Sequence, residues 1–185
     1  MAFPTHRPEQ DAPGVWAIQQ NLLARAENLL GPRDGTKKVY QPVFKDGGPY
    51  LVNTPNCDGA FATLSMNAAG YWPTLVYELA HETVHLLNPI AGCTNWLEEG
   101  VAVVFSVEMS RTLTAHPMAP NSQSQGFREA MSLVQRLPTS VFQAARNVRN
   151  DFGSLSAATF EGLCRLFPTG DKQFLSRLAE QCKPR

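Results

Sequence analysis

Two histidines four residues apart, near the centre of this 185-residue chain, indicate an α-helix. Residues 81–85 read His-Glu-Thr-Val-His. Successive residues of an α-helix turn by about 100°, so His81 and His85 would share one face, one turn apart. The flanks agree, because Pro73 suits a first helical turn and Asn88-Pro89 is a stop signal. An apolar stripe completes the pattern: Leu75, Val76, Leu79, Leu86 and Leu87. The sequence predicts a helix from Pro73 to Asn88.

This spacing carries a specific chemistry. Two imidazoles one helical turn apart can each present a nitrogen to one Zn²⁺ at about 2.0–2.1 Å. Glu82 lies beside the first ligand, where it can reach a metal-bound water without binding the metal, as a general base must. The competing interpretation is two histidines packed or solvated on an ordinary helix.

A catalytic zinc also needs a third protein ligand and an open position. His6 lies in a proline-containing arm and His116 in a proline-rich loop, so neither is in a helical frame. The better candidate is the stretch 95–102, which reads Asn-Trp-Leu-Glu-Glu-Gly-Val-Ala.

Together the two motifs resemble those of the gluzincin metallopeptidases, the thermolysin-like and aminopeptidase-like branch of the zincins. In that family the H-E-x-x-H helix is followed by a second helix whose start, similar to W-L-x-E-G-x-A, supplies a glutamate ligand. The matching residues here are Trp96, Leu97, Glu99, Gly100 and Ala102. The resemblance implies that Glu99 is the third ligand and Zn²⁺ the cofactor.

The physical chemistry of helix starts supports Glu99 over its neighbour Glu98. If Asn95 is the N-cap, Glu98 takes the third helical position, where a capping box places a carboxylate. Glu99, rotated by about 100°, is then available to the metal. Because caps are often misassigned by one position, Glu98 remains the alternative ligand. Gly100 lacks a Cβ, so we expect it to let the two central helices approach closely.

The chain also departs from the gluzincin pattern. Thirteen residues separate His85 from Glu99, fewer than in most of the family, so the connection must turn tightly. Val103 stands where thermolysin-like enzymes carry an acidic partner for a zinc-bound histidine. A zinc-bound histidine nearly always donates its other ring N–H to a hydrogen-bond acceptor that does not bind the metal. We therefore expect Glu108, Asn67 or a backbone carbonyl to orient His81.

The resemblance implies the reaction as well. Glu82 would take a proton from the zinc-bound water as that water attacks a peptide carbonyl, and would pass it to the leaving amine. The family's oxyanion donor is a Tyr or His from the C-terminal side, which makes His116 the candidate here. A peptide or protein substrate is expected to pair with the strand at 60–67, taken as a sheet edge.

The expected fold is α+β: a single zincin-like domain over 1–185, with a small N-terminal mixed sheet, two central metal-site helices and a helical C-terminal portion. Residues 1–12 are expected to form a flexible arm and 115–125 a loop. Runs 39–44 and 50–53 suggest a hairpin, whereas 95–111 suits a helix or a strand. The remaining helices are predicted at 13–30, 126–137, 139–150, 156–167 and 171–182.

Composition excludes several function classes. Sixteen basic residues balance sixteen acidic ones, with a pI near 6.9, which argues against a nucleic-acid surface. No apolar run is long enough to span a bilayer, and the start does not resemble a secretory signal. Cys57, Cys93, Cys164 and Cys182 lie far apart; Cys164 and Cys182 are the one pair considered for a disulfide, and reduced thiols are expected. These absences favour a cytoplasmic protein.

Two alternatives to an enzyme remain from the sequence. One is a catalytically quiet metal-binding protein, which Glu82 disfavours because a structural site needs no base. The other is a metal-free helical protein-interaction module. Apolar stripes in the C-terminal helices would suit a partner, although such stripes usually form a core.

Overall fold

The computed structural model describes residues 3–121 and 124–182. These residues divide into two compact units. The first comprises 3–27, 32–91 and 105–119; the second comprises 28–31, 92–104, 120–121 and 124–182.

The elements form an α+β arrangement, as predicted. A short 3₁₀ helix (Pro8–Gln10) precedes the first long helix. The helices are α1 (Ala12–Leu30), α2 (Met66–Gly70), α3 (Trp72–Leu86), α4 (Trp96–Leu113), α5 (Gln125–Val134), α6 (Val141–Phe152), α7 (Phe160–Leu166) and α8 (Lys172–Ala179). The strands are β1 (Lys38–Val39), β2 (Val43–Phe44), β3 (Tyr50–Asn53) and β4 (Gly59–Leu64). Among these helices, none combines the length and apolar character that crossing a membrane requires.

The sheet of the first unit is built around β4. β1 and β2 pair with β4 in parallel, and β3 pairs with it antiparallel, so the sheet is mixed. Thr63 is opposite both Val43 and Tyr50, which places β2 and β3 on opposite edges of β4. The predicted hairpin is therefore wrong, because the turn at 45–49 carries the chain across β4 instead of pairing the two runs. The prediction of an edge strand at 60–67 is also wrong, because β4 is paired on both sides.

Burial around β4 is more complete than its sequence alternation predicts. Five of its six residues are buried, and only Phe61 is half-exposed. The strand also ends earlier than predicted, because Ser65 becomes the N-cap of α2 and accepts a hydrogen bond from the backbone N–H of Ala68. This turn leads directly into α3, the helix that carries both histidines.

The core of the first unit surrounds α3. Pro73 lies in its first turn, where the missing N–H costs nothing. The fully buried large side chains of this unit come from α1, β4, α3 with the residue that follows it, and the second half of α4: Leu22, Leu64, Leu75, Leu79, Leu86, Leu87 and Phe105. The segment before α1, expected to be an arm, contacts α3: the ring of Phe3 stacks on that of Trp72, whose Nε1–H donates to the His6 carbonyl at 2.8 Å.

The second unit contains the first half of α4 and the four C-terminal helices. Ser140, Thr159 and Asp171 cap α6, α7 and α8 through their side chains, as helix N-termini require. Gly100 on α4 lies against α5: a Cβ added there would be 2.4 Å from the Ala130 carbonyl oxygen. The absence of a Cβ at Gly100 therefore allows the backbone of α5 to approach α4 closely.

Candidate metal centre

Helix α3 presents the two histidines and Glu82 as the motif predicts. His81 and Glu82 are 8% and 3% exposed, and His85 is half-buried. The Nε2 atoms of His81 and His85 lie 3.2 Å apart, and their ring centroids are 5.0 Å apart. The two imidazoles therefore direct the same ring nitrogen toward one point.

Glu99 is the third member of this group. One ligand atom from each of His81, His85 and Glu99 lies within 4.8 Å of the others. Glu99 is in the first turn of α4, an uninterrupted helix of 18 residues, and is 2% exposed. The group contains Glu99 and not Glu98, in agreement with the predicted ligand set.

The donor atoms fit a small divalent ion. Two nitrogens bound at 2.0–2.1 Å to a tetrahedral ion would be separated by about 3.3 Å. The observed separation of 3.2 Å is close to this value. Two imidazoles and a carboxylate suit Zn²⁺ and also other divalent first-row metals, so the geometry supports a metal site without fixing the metal.

The start of α4 explains why Glu98 and Glu99 differ. The Asn95 Oδ1 atom accepts a hydrogen bond of 2.9 Å from the backbone N–H of Glu98, as an N-cap does. The predicted cap is therefore confirmed, and Glu98 is the third helical residue. The Asn95 amide also donates to the Leu155 carbonyl oxygen at 2.9 Å, which fixes the start of the helix within the second unit.

The C-terminal tail holds the same helix start from another side. Asn95 forms a β-bridge with Gln181, and the backbone N–H of Cys182 donates to the Thr94 carbonyl oxygen at 2.8 Å. Burial raises the pKa of the Cys182 thiol to about 12, and the negative charge of Glu99 adds to this shift. Cys182 is thus a neutral thiol near Glu99. All four cysteines are free, including Cys164.

One carboxylate beside the histidines has no counterpart in the sequence prediction. Glu78, three residues before His81, accepts hydrogen bonds from Ser65. Burial raises the pKa of Glu78, whereas the Ser65 hydrogen bonds and the positive charge of His81 oppose this shift. The sequence signal that could have identified Glu78 is its position three residues before His81, because residues three apart share a helix face.

Two of the three hydrogen-bond partners that the sequence offered for His81 are poorly placed for that role. Glu108 and Asn67 are exposed, whereas such a partner has to lie against a histidine that is 8% exposed. Val103 is fully buried and has no polar side-chain atom. A backbone carbonyl is the remaining sequence-based alternative.

His116 lies elsewhere in the first unit. Its ring meets that of Tyr71 edge-on, with centroids 6.3 Å apart, and both residues line a cavity of about 510 Å³. Tyr71 precedes the first residue of α3, and a rise of 1.5 Å per residue places it about 15 Å from His81 along the helix axis. His116 is not a member of the His81, His85 and Glu99 group. Its role as the oxyanion donor gains no support from this placement.

The resemblance to gluzincins remains confined to these motifs. Comparison of the chain with protein-family models, with curated proteins and with solved structures gives no match.

Proposed function

We propose that this protein is a metal-dependent hydrolase that cleaves peptide bonds, with His81, His85 and Glu99 holding one Zn²⁺ and Glu82 acting as general base. The observation that carries the proposal is the convergence of three ligand atoms within 4.8 Å, one of them from the next helix, α4. Two histidines alone are common on helices, whereas a carboxylate meeting them in a buried position requires a reason.

The metal would act as a Lewis acid on a carbonyl oxygen and would acidify bound water. Glu82 supplies the proton transfer. Its position next to His81 keeps it close to the metal, and it is not a member of the ligand group. Its carboxylate would take a proton from the attacking water and deliver it to the leaving amine. At 3% exposure, bulk solvent has little access to the Glu82 side chain.

The ligand count favours catalysis over a structural role. Structural zinc sites usually fill all four positions with protein ligands, whereas catalytic sites use three and keep one for water or substrate. Within the described residues, the group has three members. An open position is what the proposed reaction needs.

The sheet offers a place for an extended substrate. Among the described strands, β3 pairs with β4 alone, so its other edge can receive a peptide by strand addition. β3 lies next to α3, and the Asn53 amide donates to the Ile90 carbonyl oxygen at 2.9 Å, which ties the strand to the segment after α3. In this proposal β3 replaces β4 as the substrate-pairing strand.

The test is metal analysis combined with peptide-library cleavage. Purified protein should contain about one zinc per chain, should lose cleavage activity when the metal is removed with a chelator, and should regain it when Zn²⁺ is restored. A protein that binds zinc and cleaves no library peptide would instead be a quiet metal-binding protein. A protein that binds no metal would leave only the helical interaction module.

A further inference from the structure

The cavity of about 510 Å³ at the start of α3 lies within the first unit. It is lined by the segment before α1, by the junction of α2 and α3, and by the residues that follow α4. Its volume falls in the range of ligand pockets, about 300–1,000 Å³. Glu82 and the three candidate metal ligands are not among its lining residues. This cavity is therefore separate from the candidate metal centre.

Two pairs of rings line this cavity. The ring of Phe3 stacks on that of Trp72, with centroids 5.5 Å apart and planes 5° from parallel. The rings of Tyr71 and His116 meet edge-on at 6.3 Å. All four residues belong to the lining. Aromatic groups attract one another in stacked and edge-on arrangements beyond the gain from buried area, so this lining favours a ligand with an aromatic ring.

The Tyr71 side chain is accessible at this cavity. Tyr71 is the N-cap residue of α3, but its side chain makes no capping hydrogen bond, and it is 46% exposed. Trp72, by contrast, is 6% exposed and is fixed by the hydrogen bond from its Nε1–H to the His6 carbonyl oxygen. The cavity therefore combines one fixed ring with one that a ligand can reach from solvent.

The lining groups that can carry a charge near neutral pH are all basic. They are Arg7, His6 and His116, and no Asp or Glu is among the described lining residues. The His6 Nε2 atom lies 3.2 Å from the Asp11 carboxylate. Arg7 lies 3.6 Å from Glu9, with side chains 68% and 37% exposed. An ion pair this exposed contributes little, so the Arg7 guanidinium can turn toward a ligand. The charge of the lining therefore favours an anion.

We propose that this cavity binds a small aromatic carboxylate, with its ring among Phe3, Tyr71 and Trp72 and its carboxylate bound by Arg7. The planar guanidinium presents N–H donors in a fork that matches both oxygens of a carboxylate. The His116 imidazole supplies a further polar group at the same cavity. This inference does not depend on the proposed hydrolase, because none of these residues belongs to the metal centre.

The experiment titrates the full chain with naphthalene-1-acetate in a calorimeter. Naphthalene-1-acetamide has the same ring and nearly the same size without the charge, and it should bind at least about 10-fold more weakly, because hydrogen bonds between charged groups are the stronger ones. The saturated analogue decahydronaphthalene-1-acetate keeps the carboxylate but has no aromatic faces. It should bind about 2–10-fold more weakly than the aromatic acid.

Variants locate the ligand within the cavity. Arg7→Gln should lower the affinity for the acid by about 10-fold and leave that for the amide unchanged, because only the acid has a charge for Arg7 to bind. His116→Ala should weaken the binding of both compounds, because it removes a lining ring. Arg128→Gln makes the same exchange as Arg7→Gln at an exposed position of α5, outside the lining, and should bind as the wild type does. A chelator of divalent metals should leave every affinity unchanged.

Several results would overturn this inference. One is a wild type that does not bind the acid, or that binds the acid and the amide equally. Another is full affinity for the acid in Arg7→Gln. Loss of binding when the chelator is added would also overturn it, because the carboxylate would then be bound by a metal ion. Thermal unfolding checks that each variant folds. If Arg7→Gln does not fold, the comparison of acid and amide on the wild type decides.

Discussion

The backbone N–H of Glu98 donates a hydrogen bond of 2.9 Å to the side-chain oxygen of Asn95. This bond sets the first turn of α4 and with it the direction of the next residue, Glu99. Glu98 and Glu99 are equally acidic and nearly equally buried, at 4% and 2% exposure. The hydrogen bond to Asn95 therefore distinguishes Glu98 from Glu99, whereas residue type and burial do not.

Replacing Glu98 and Glu99 by alanine, one at a time, tests which of them is the metal ligand. Glu99→Ala should weaken Zn²⁺ binding by more than the about 10–100-fold expected for an outer partner, because it removes a ligand. Glu98→Ala should mainly lower the melting temperature, because the negative charge of an acidic residue in the first turn interacts favourably with the helix dipole and stabilises the helix. Isothermal titration and thermal unfolding measure the two effects. The opposite pattern would move the ligand to Glu98.

Glu82→Gln tests the general base. The amide keeps the size of the side chain but cannot take a proton, so peptide cleavage should fall by at least about 100-fold. Because Glu82 is outside the ligand group, zinc content should stay at that of the wild type. The exposed Glu161→Gln change controls for loss of a carboxylate. Full cleavage by Glu82→Gln would show that the proton transfer is assigned to the wrong residue.

Gly100→Ala tests the contact between α4 and α5. The new Cβ would meet the Ala130 backbone oxygen at 2.4 Å, which no side-chain rotation relieves. Overpacking should outweigh the gain in helix propensity, for a net loss of about 1–2 kcal/mol in the free energy of unfolding. Gly70→Ala is the matched control, because nothing lies within 4 Å of its added Cβ. Chemical denaturation compares them, and equal stability would contradict this contact.

His116→Ala tests whether His116 is the oxyanion donor, as the sequence predicts, or takes no part in the reaction, as its position in the structure indicates. The sequence predicts that loss of an oxyanion donor would lower kcat by about 100-fold with the metal retained. The edge-on contact of His116 with Tyr71, away from the ligand group, leads us instead to expect a kcat close to that of the wild type. Steady-state kinetics with the zinc-loaded protein decides, and a large fall in kcat would restore the donor role.

Local signals predicted most of the helices and indicated the three candidate ligands that the structure brings together. The spacing of His81 and His85 indicates a helix face, and Asn95 marks a cap through its side-chain chemistry. Helix α4 is the exception. Most of its residues are buried, and its own apolar side chains are distributed around the whole helix. Without a polar face its sequence has no helical period, so a helix and a strand were equally consistent with it.

The order of strands was beyond local reasoning. Runs 39–44 and 50–53 are separated by a turn-forming segment, which predicts a hairpin. In the structure β4, which comes later in the chain, lies between β2 and β3 and pairs with both. Strand pairing depends on which surfaces are buried together, and nothing within a single strand encodes that choice.

The sequence alone determined which side chains can bind a metal and which local structures carry them, because helix periodicity and capping act between residues a few positions apart. Tertiary packing decided the rest: Glu99 joining the two histidines, α5 lying against Gly100, and Ser65 holding Glu78. These relationships join residues 13 or more positions apart: Ser65 and Glu78 by 13, His85 and Glu99 by 14, and Gly100 and Ala130 by 30. Such contacts form only when buried surfaces select one arrangement of the whole chain.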